Sequence, residues 1–276
     1  PPTPPHLALP VLAAYLRSKG RPVRCWDGNN RFLHRAGSRE AVDAGRVRLE
    51  ACRDLPERPS WAERTEALLS RLGDRIYCLS SPEAFESSLE RNLALEAVLD
   101  LASLGGPERI FFDHGSNSLG LLSPRSPYSL RDSLAAASAA GLLEGFFEEE
   151  LLPLVDGAVT VVGLSVAFAE QFQPALRAAR VLKGAFPALP IYLGGSFASY
   201  HLRALHDESL FDAVDGVVIG DGERALEEIL DWEEGGRREE PVIAGLMTRG
   251  RRPEGPAEAP ALMELPDPDF SDFPPR

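Results

Sequence analysis

The sequence predicts a doubly wound α/β fold with a mainly parallel sheet and a helical insertion, and three features carry that prediction. Between residues 157 and 232 a unit of apolar run, small-residue loop and amphipathic run recurs. The first apolar run, 158–166, is β-branched and almost unbroken, as a parallel strand covered on both faces requires. The later runs end in Gly194-Gly195-Ser196 and Gly220-Asp221-Gly222-Glu223, turns that close a strand and open a helix.

Taken in order, Leu7, Val11, Leu12, Tyr15 and Leu16 share one side of a helix that Gly20 stops, and a short strand over 23–26 follows. Residues 30–156 read as mostly helical, with helices at 61–72, 82–104 and 129–152 separated by turn-rich stretches at 113–117 and 123–124. After the strand at 158–166, Phe172, Leu176, Ala179, Leu182 and Phe186 recur in steps of three and four. That stripe marks a crossover helix whose Arg177, Arg180 and Lys183 face water. Pro187 and Pro190 bracket its end, and 191–193 forms the next strand, with a helix over 197–205 behind it. A third strand spans 214–219, and Leu226, Ile229 and Leu230 mark the buried side of the next helix. Residues 242–248 make a last edge strand. The proline- and acid-rich remainder reads as linker, which divides the chain into a domain at 1–249, with an insertion at 30–156, and a linker at 250–276.

Bulk properties narrow the function classes. A chain of 276 residues, 44% of them hydrophobic, buries one large core or two modest ones. Its net charge of -13 opposes the phosphate contacts of nucleic-acid binding. Cys25, Cys52 and Cys78 are odd in number and far apart, without CxxC or CxxxCxxC spacing, so they read as reduced thiols of a cytoplasmic protein. No apolar stretch approaches the ~20 residues of a membrane span, and no basic segment precedes an apolar run at the start. The first residue is Pro1 rather than Met, as in a piece of a longer polypeptide.

Catalytic and metal signatures are sparse. There is no nucleophile elbow, Walker A loop or GxGxxG. Asp113 and His114 adjoin in a turn that faces solvent, and His201 and His206 lack the partner spacing of a zinc site. The acidic runs at 148–150 and 233–234 read as solvated helix surface. What remains is the set of strand-end loops, where open parallel sheets bind ligands. Gly194 and Gly195 permit positive φ and close backbone approach, and Ser196 adds a hydroxyl. They equally suit a tight turn. Gly220, Asp221, Gly222 and Glu223 cap the following helix with acid at its positive end, with or without a ligand. Ser165, Val166 and Ala167 suit a pocket wall as well as a core, and the prolines of 1–5 form a ligand wall or a helix entry.

Together these pieces resemble a family. The proline-rich 1–5 before "LAAYLRSKG", then "VRCWDGN", "VGLSVAFAEQFQPALRAARVLKGAFPALPIYLGGSFAS", "FDAVDGVVIGDGERALEEIL" and "LPDPDFSDF" stand in the order of the N-terminal domain of B12-dependent radical SAM proteins. The resemblance covers about 1–30 and 157–276, and the stretch between resembles an insertion of peptide-maturing members. It implies a Rossmann-like module that binds cobalamin. Pro2, Thr3 and Pro4 would lie against the corrin, and Ser165, Val166 and Ala167 would line the cobalt side. Gly194, Gly195 and Ser196 would flank the nucleotide tail, while Gly220, Asp221, Gly222 and Glu223 would meet the ring edge or ribose. The family's complete enzymes add a radical SAM domain on the same polypeptide, a [4Fe-4S] cluster and S-adenosylmethionine. They act as methyltransferase-type or peptide-modifying enzymes on peptides or small molecules.

Three departures shape the expectation. The strand that usually precedes the proline-rich loop is absent, which leaves a central sheet position empty. DxHxxG is missing, so no histidine is expected below cobalt. The cluster cysteines are missing too, and no catalytic residue or metal ligand is assigned to this chain. Rival readings are a nucleotide or nucleotide-sugar binding domain of a transferase, whose phosphates strand-end glycines also serve, and a ligand-free interaction domain.

Overall fold

A computed structural model describes residues 7–56, 58–104, 109–113, 118–122, 126–138, 142–236 and 242–273. The protein is mixed α/β with a small, mostly parallel sheet. It divides into two compact units, Asp27–Pro124 and Pro5–Trp26 with Arg125–Pro275. Their elements in chain order are α1 (Ala8–Ser18), α2 (Gly28–Ala36), α3 (Arg39–Ala51), α4 (Ala62–Leu72), α5 (Ser88–Ser103), β1 (Arg109–Asp113), β2 (Ser118–Leu122), α6 (Leu130–Ser138), α7 (Leu142–Glu150), β3 (Val162–Ser165), α8 (Phe172–Ala185), β4 (Ile191–Gly194), β5 (Gly216–Val218), α9 (Glu223–Glu234) and β6 (Leu246–Met247).

The first unit is helical around α5. Ser87 starts that helix by accepting from Glu90 N, and Glu90 accepts in return from Glu86 N at 2.8 Å, so side chains satisfy two otherwise orphaned donors. Ala94, Leu95, Ala97, Val98, Leu99 and Leu101 are all buried, because α3, α4 and β1 all pack against α5. Gly45 lets α3 approach closely: a Cβ there would lie 2.7 Å from Leu101 Cβ. The sequence predicts a mostly helical region here, with no strand. It also holds an antiparallel pair, β1 with β2, in which Phe111 faces Gly120 and Phe112 faces Leu119. Strand formation wins there because two short alternating stretches pair with each other, a signal that helical periodicity passes over.

The second unit carries the sheet, in the order β3-β4-β5-β6, parallel except for β6. Ile191, Tyr192 and Leu193 are buried on both faces of β4. Tyr192 packs in a cluster with Ile229 and Ala225 of α9. The nine-residue strand expected at 158–166 shortens to four residues, and Gly163 and Ser165 are exposed. The physical reason is position: among the described residues β3 pairs only with β4 and forms the sheet edge.

Other expectations change in the same unit. Residues 23–26, expected as a strand, have no regular secondary structure and join no strand ladder among the described residues. They are held by side chains instead. Arg24 binds Leu154 O and Asp156, Cys25 N donates to Asp272 at 2.6 Å, and the Trp26 ring packs on Phe146 and Phe147. The helix expected at 197–205 is a single π turn, Ala198–Leu202. Arg177, expected in water, is 1% exposed and donates to Ala136 O at 2.6 Å, while Arg180 donates to Ala137 O at 3.0 Å. Both arginines satisfy carbonyls of the last turn of α6, which have no partner within that helix. Glu233, read as solvated surface, accepts from the Tyr192 hydroxyl.

Residues 250–273, read as linker, lie against this unit. Ala257 bridges Gly220 in parallel, and Asp269 N donates to Pro10 O at 3.0 Å. Among the described residues, no helix is long and apolar enough to cross a membrane.

Candidate functional site

The C-terminal ends of β3, β4 and β5 stand side by side because the strands are parallel and hydrogen-bonded in sequence. Ser165 ends β3 with its side chain exposed. Val166 is fully buried; its N–H donates to Gly194 O at 2.8 Å and its carbonyl accepts from Phe197 N at 3.1 Å. Ala167 N donates to Gln171 Oε1 at 3.0 Å, and Ala167 O accepts from Ser196 Oγ at 2.8 Å. Six of the sequence-predicted residues, Ser165, Val166, Ala167, Gly194, Gly195 and Ser196, therefore form one hydrogen-bonded pair of strand tips.

Gly195 has φ +99°, and a Cβ would sit 2.8 Å from Val166 N. Glycine is required because backbone packs on backbone, which is the tight-turn reading of that motif. Gly220 also has φ +99°, and its Cβ would lie 2.7 Å from Ala257 N. Here Ala257 N donates to Ile219 O at 2.7 Å and Ala257 O accepts from Asp221 N at 3.0 Å. The chain's own residues 256–259 thus cover the β5 tip, and Asp221 accepts from Ala259 N at 3.2 Å.

Sequence reasoning missed Ser199. Its hydroxyl donates to Gly195 O at 3.1 Å and accepts from Gly220 N at 2.9 Å, tying the β4 tip to the β5 tip. The signal was a second serine three residues after Ser196, which places a hydroxyl over the turn it follows.

Gly222 and Glu223 point the row toward α1. Gly222 is the N-cap of α9, with no side-chain cap, and a Cβ there would approach Leu12 at 3.1 Å. Glu223 opens the helix, where a carboxylate is favoured by the dipole. Its Oε2 is buried and has no hydrogen-bond partner among the described residues. One turn later Glu227 accepts from Tyr15 Oη at 2.6 Å. Burial first, then that hydrogen bond and the Glu227 charge, push the Tyr15 hydroxyl up to about 12, with the Glu223 charge adding to the rise.

Pro2, Thr3 and Pro4 lie outside the described residues. Cys25, Cys52 and Cys78 are free thiols, and burial pushes the Cys25 thiol up to about 11. Among the described residues no three His, Cys, Asp or Glu side chains group as metal ligands. No family model matches the chain, and no curated protein or solved structure matches it either.

Proposed function

We propose that the chain is a Rossmann-like, doubly wound cobalamin-binding domain of a B12-dependent radical SAM enzyme of the methyltransferase-type or peptide-modifying kind. The observation that carries the reading is the row of parallel strand tips, β3 to β5, built from small and hydroxylated residues. A corrin needs a wide wall that backbone can approach and hydrogen-bonding groups for its amides. Ser165 and Ser196 are exposed beside the half-buried Ala167, so this part of the row fits such a ring. The orphaned Glu223 Oε2 is an acceptor in want of a donor, as a ligand amide or hydroxyl supplies. The β5 tip fits less well, since Ala257 covers Gly220. Opposite faces of β4 are buried at Tyr192 and at Ile191 and Leu193, which supports a doubly wound sheet.

When bound, cobalamin would supply a cobalt-carried methyl group. Ser165 and Ala167 would hold the cobalt side, with the buried Val166 fixing their position, Gly194, Gly195 and Ser196 the tail side, and Asp221 and Glu223 the ring edge. A [4Fe-4S] cluster, S-adenosylmethionine and a peptide or small-molecule substrate belong to the same proposal through a radical SAM domain on the polypeptide.

Gel filtration of the protein with hydroxocobalamin tests it. Corrin absorbance co-eluting with the protein, reduced by Ser165→Trp, is the expected result. No uptake by the protein would overturn the reading, and uptake of a nucleotide sugar in its place would favour the transferase alternative.

A further inference from the structure

The outer edge of β3 is a feature that the cobalamin reading does not use. In a parallel pair, alternate residues turn their backbone groups toward the neighbouring strand. Val162 N donates to Pro190 O at 2.9 Å and Val166 N donates to Gly194 O at 2.8 Å, and Leu164 between them stands in register with Leu193. Val161, Gly163 and Ser165 therefore turn their N–H and C=O groups away from β4. Among the described residues nothing bonds to those of Gly163 and Ser165. Both residues are exposed, and a Cβ on Gly163 would meet nothing within 4 Å.

A sheet edge of this kind is ordinarily blunted by a lysine, a proline or a bulge. From Gly157 to Ala169 the chain has no charged residue and no proline. Val161, Val162 and Leu164 are only half-buried, whereas Ile191, Tyr192 and Leu193 of the adjoining strand are buried. The edge thus combines unpaired backbone, small outward residues and apolar flanks that the rest of the unit covers incompletely.

We propose that the β3 edge pairs with the β3 edge of a second copy of this chain, antiparallel, about a twofold axis at Gly163. The outward set maps onto itself under that axis: Gly163 stands opposite Gly163, and Val161 opposite Ser165. Each outward N–H then meets an outward C=O of the other copy. Copies with a net charge of -13 repel each other, and an uncharged stretch is where they can meet. A twofold contact that continues the sheet is antiparallel and needs no crossover connection, unlike an added parallel strand. Val161, Val162 and Leu164 gain cover from the same residues of the second copy. The proposal is independent of corrinoid binding.

Sedimentation equilibrium of the full chain at rising concentration tests it, beside Gly163→Ala, Gly163→Lys and Gly163→Glu, whose folding thermal melts confirm. The expected result is that the wild type and Gly163→Ala reach twice the mass of one chain. Gly163→Lys and Gly163→Glu should each self-associate at least about tenfold more weakly, because like charges face each other across the axis, and an equal mixture of the two should regain the dimer. A wild-type chain that stays monomeric, a dimer that both charged variants leave intact, or a mixture that associates no more tightly than either variant alone would overturn the proposal.

Discussion

Gly220 N donates to Ser199 Oγ at 2.9 Å, so a hydroxyl from the π turn after β4 satisfies the backbone of the β5 tip. The same hydroxyl donates to Gly195 O, and one side chain links two loops that the sequence separates by more than twenty residues. Ser199→Ala leaves a half-buried N–H and a carbonyl without that partner. The expected cost is about 1–2 kcal/mol in urea denaturation, with an unchanged slope. A change below a few tenths of a kcal/mol would show that water replaces the hydroxyl.

Gly195 and Gly184 make a matched pair of glycines. Gly195→Ala combines positive φ with a collision against Val166, and destabilisation by at least about 2 kcal/mol is expected. Gly184 lies in α8 with nothing within 4 Å of a Cβ, so Gly184→Ala should stabilise by about 0.5–1 kcal/mol. Thermal melts of the two variants, read against each other, check the signs.

Arg17 clasps the acidic segment near the end of the chain, reaching Asp269 at 2.5 Å and Asp272 at 2.7 Å, and it also donates to Val23 O. Arg17→Ala should raise hydrogen exchange across residues 262–273 while β4 stays protected. Hydrogen bonds from Ser271, followed by Arg17, lower Asp269 from its ordinary 3.8 to about 2. A depressed carboxylate stabilises the fold above its unfolded value, so the contribution is complete above about pH 4 and is lost as the pH falls through about 2. Exchange measured across that window should show the segment loosening at the acid end, and an Asp269→Asn protein should lack the step.

Asp100 is 2% exposed, accepts from Thr65 Oγ1 at 2.8 Å and from Arg109 Nε at 2.6 Å, and so ties α4, α5 and β1 together. Asp100→Ala removes the shared acceptor, leaves the partly exposed Arg109 guanidinium without its carboxylate and leaves the Thr65 hydroxyl only the longer bond to Trp61 O at 3.2 Å. A loss of about 2–4 kcal/mol in equilibrium unfolding is expected. Thr65→Val together with Asp100→Ala should cost less than the sum of the single changes, because the two act on one interaction.

Much of the α/β core was legible in the sequence, and for a local reason. Buried strands such as β4 are apolar on both faces, and helices such as α8 repeat their apolar residues every three or four positions, so composition and spacing announce them. The turns at Gly194-Gly195-Ser196 and Gly220-Asp221 were legible for the same reason, since positive φ selects glycine. The predicted strand-tip residues Ser165 to Ala167 and Gly194 to Ser196 do stand together, because parallel neighbours bring their ends to one side.

Tertiary structure alone decided the rest. Sequence spacing could not show that Arg177 is buried, because a periodic pattern assigns a face to a side chain but does not reveal which carbonyls of another helix await it. Nor could it reveal that Ser199 bridges two loops, that Ala257 covers Gly220, or that the seemingly free 250–273 folds back onto α1. Local patterns fix which segments become helix or strand, since those choices depend on neighbours a few residues away. Which polar groups meet across the fold depends on residues brought together from distant parts of the chain, and only packing decides those encounters.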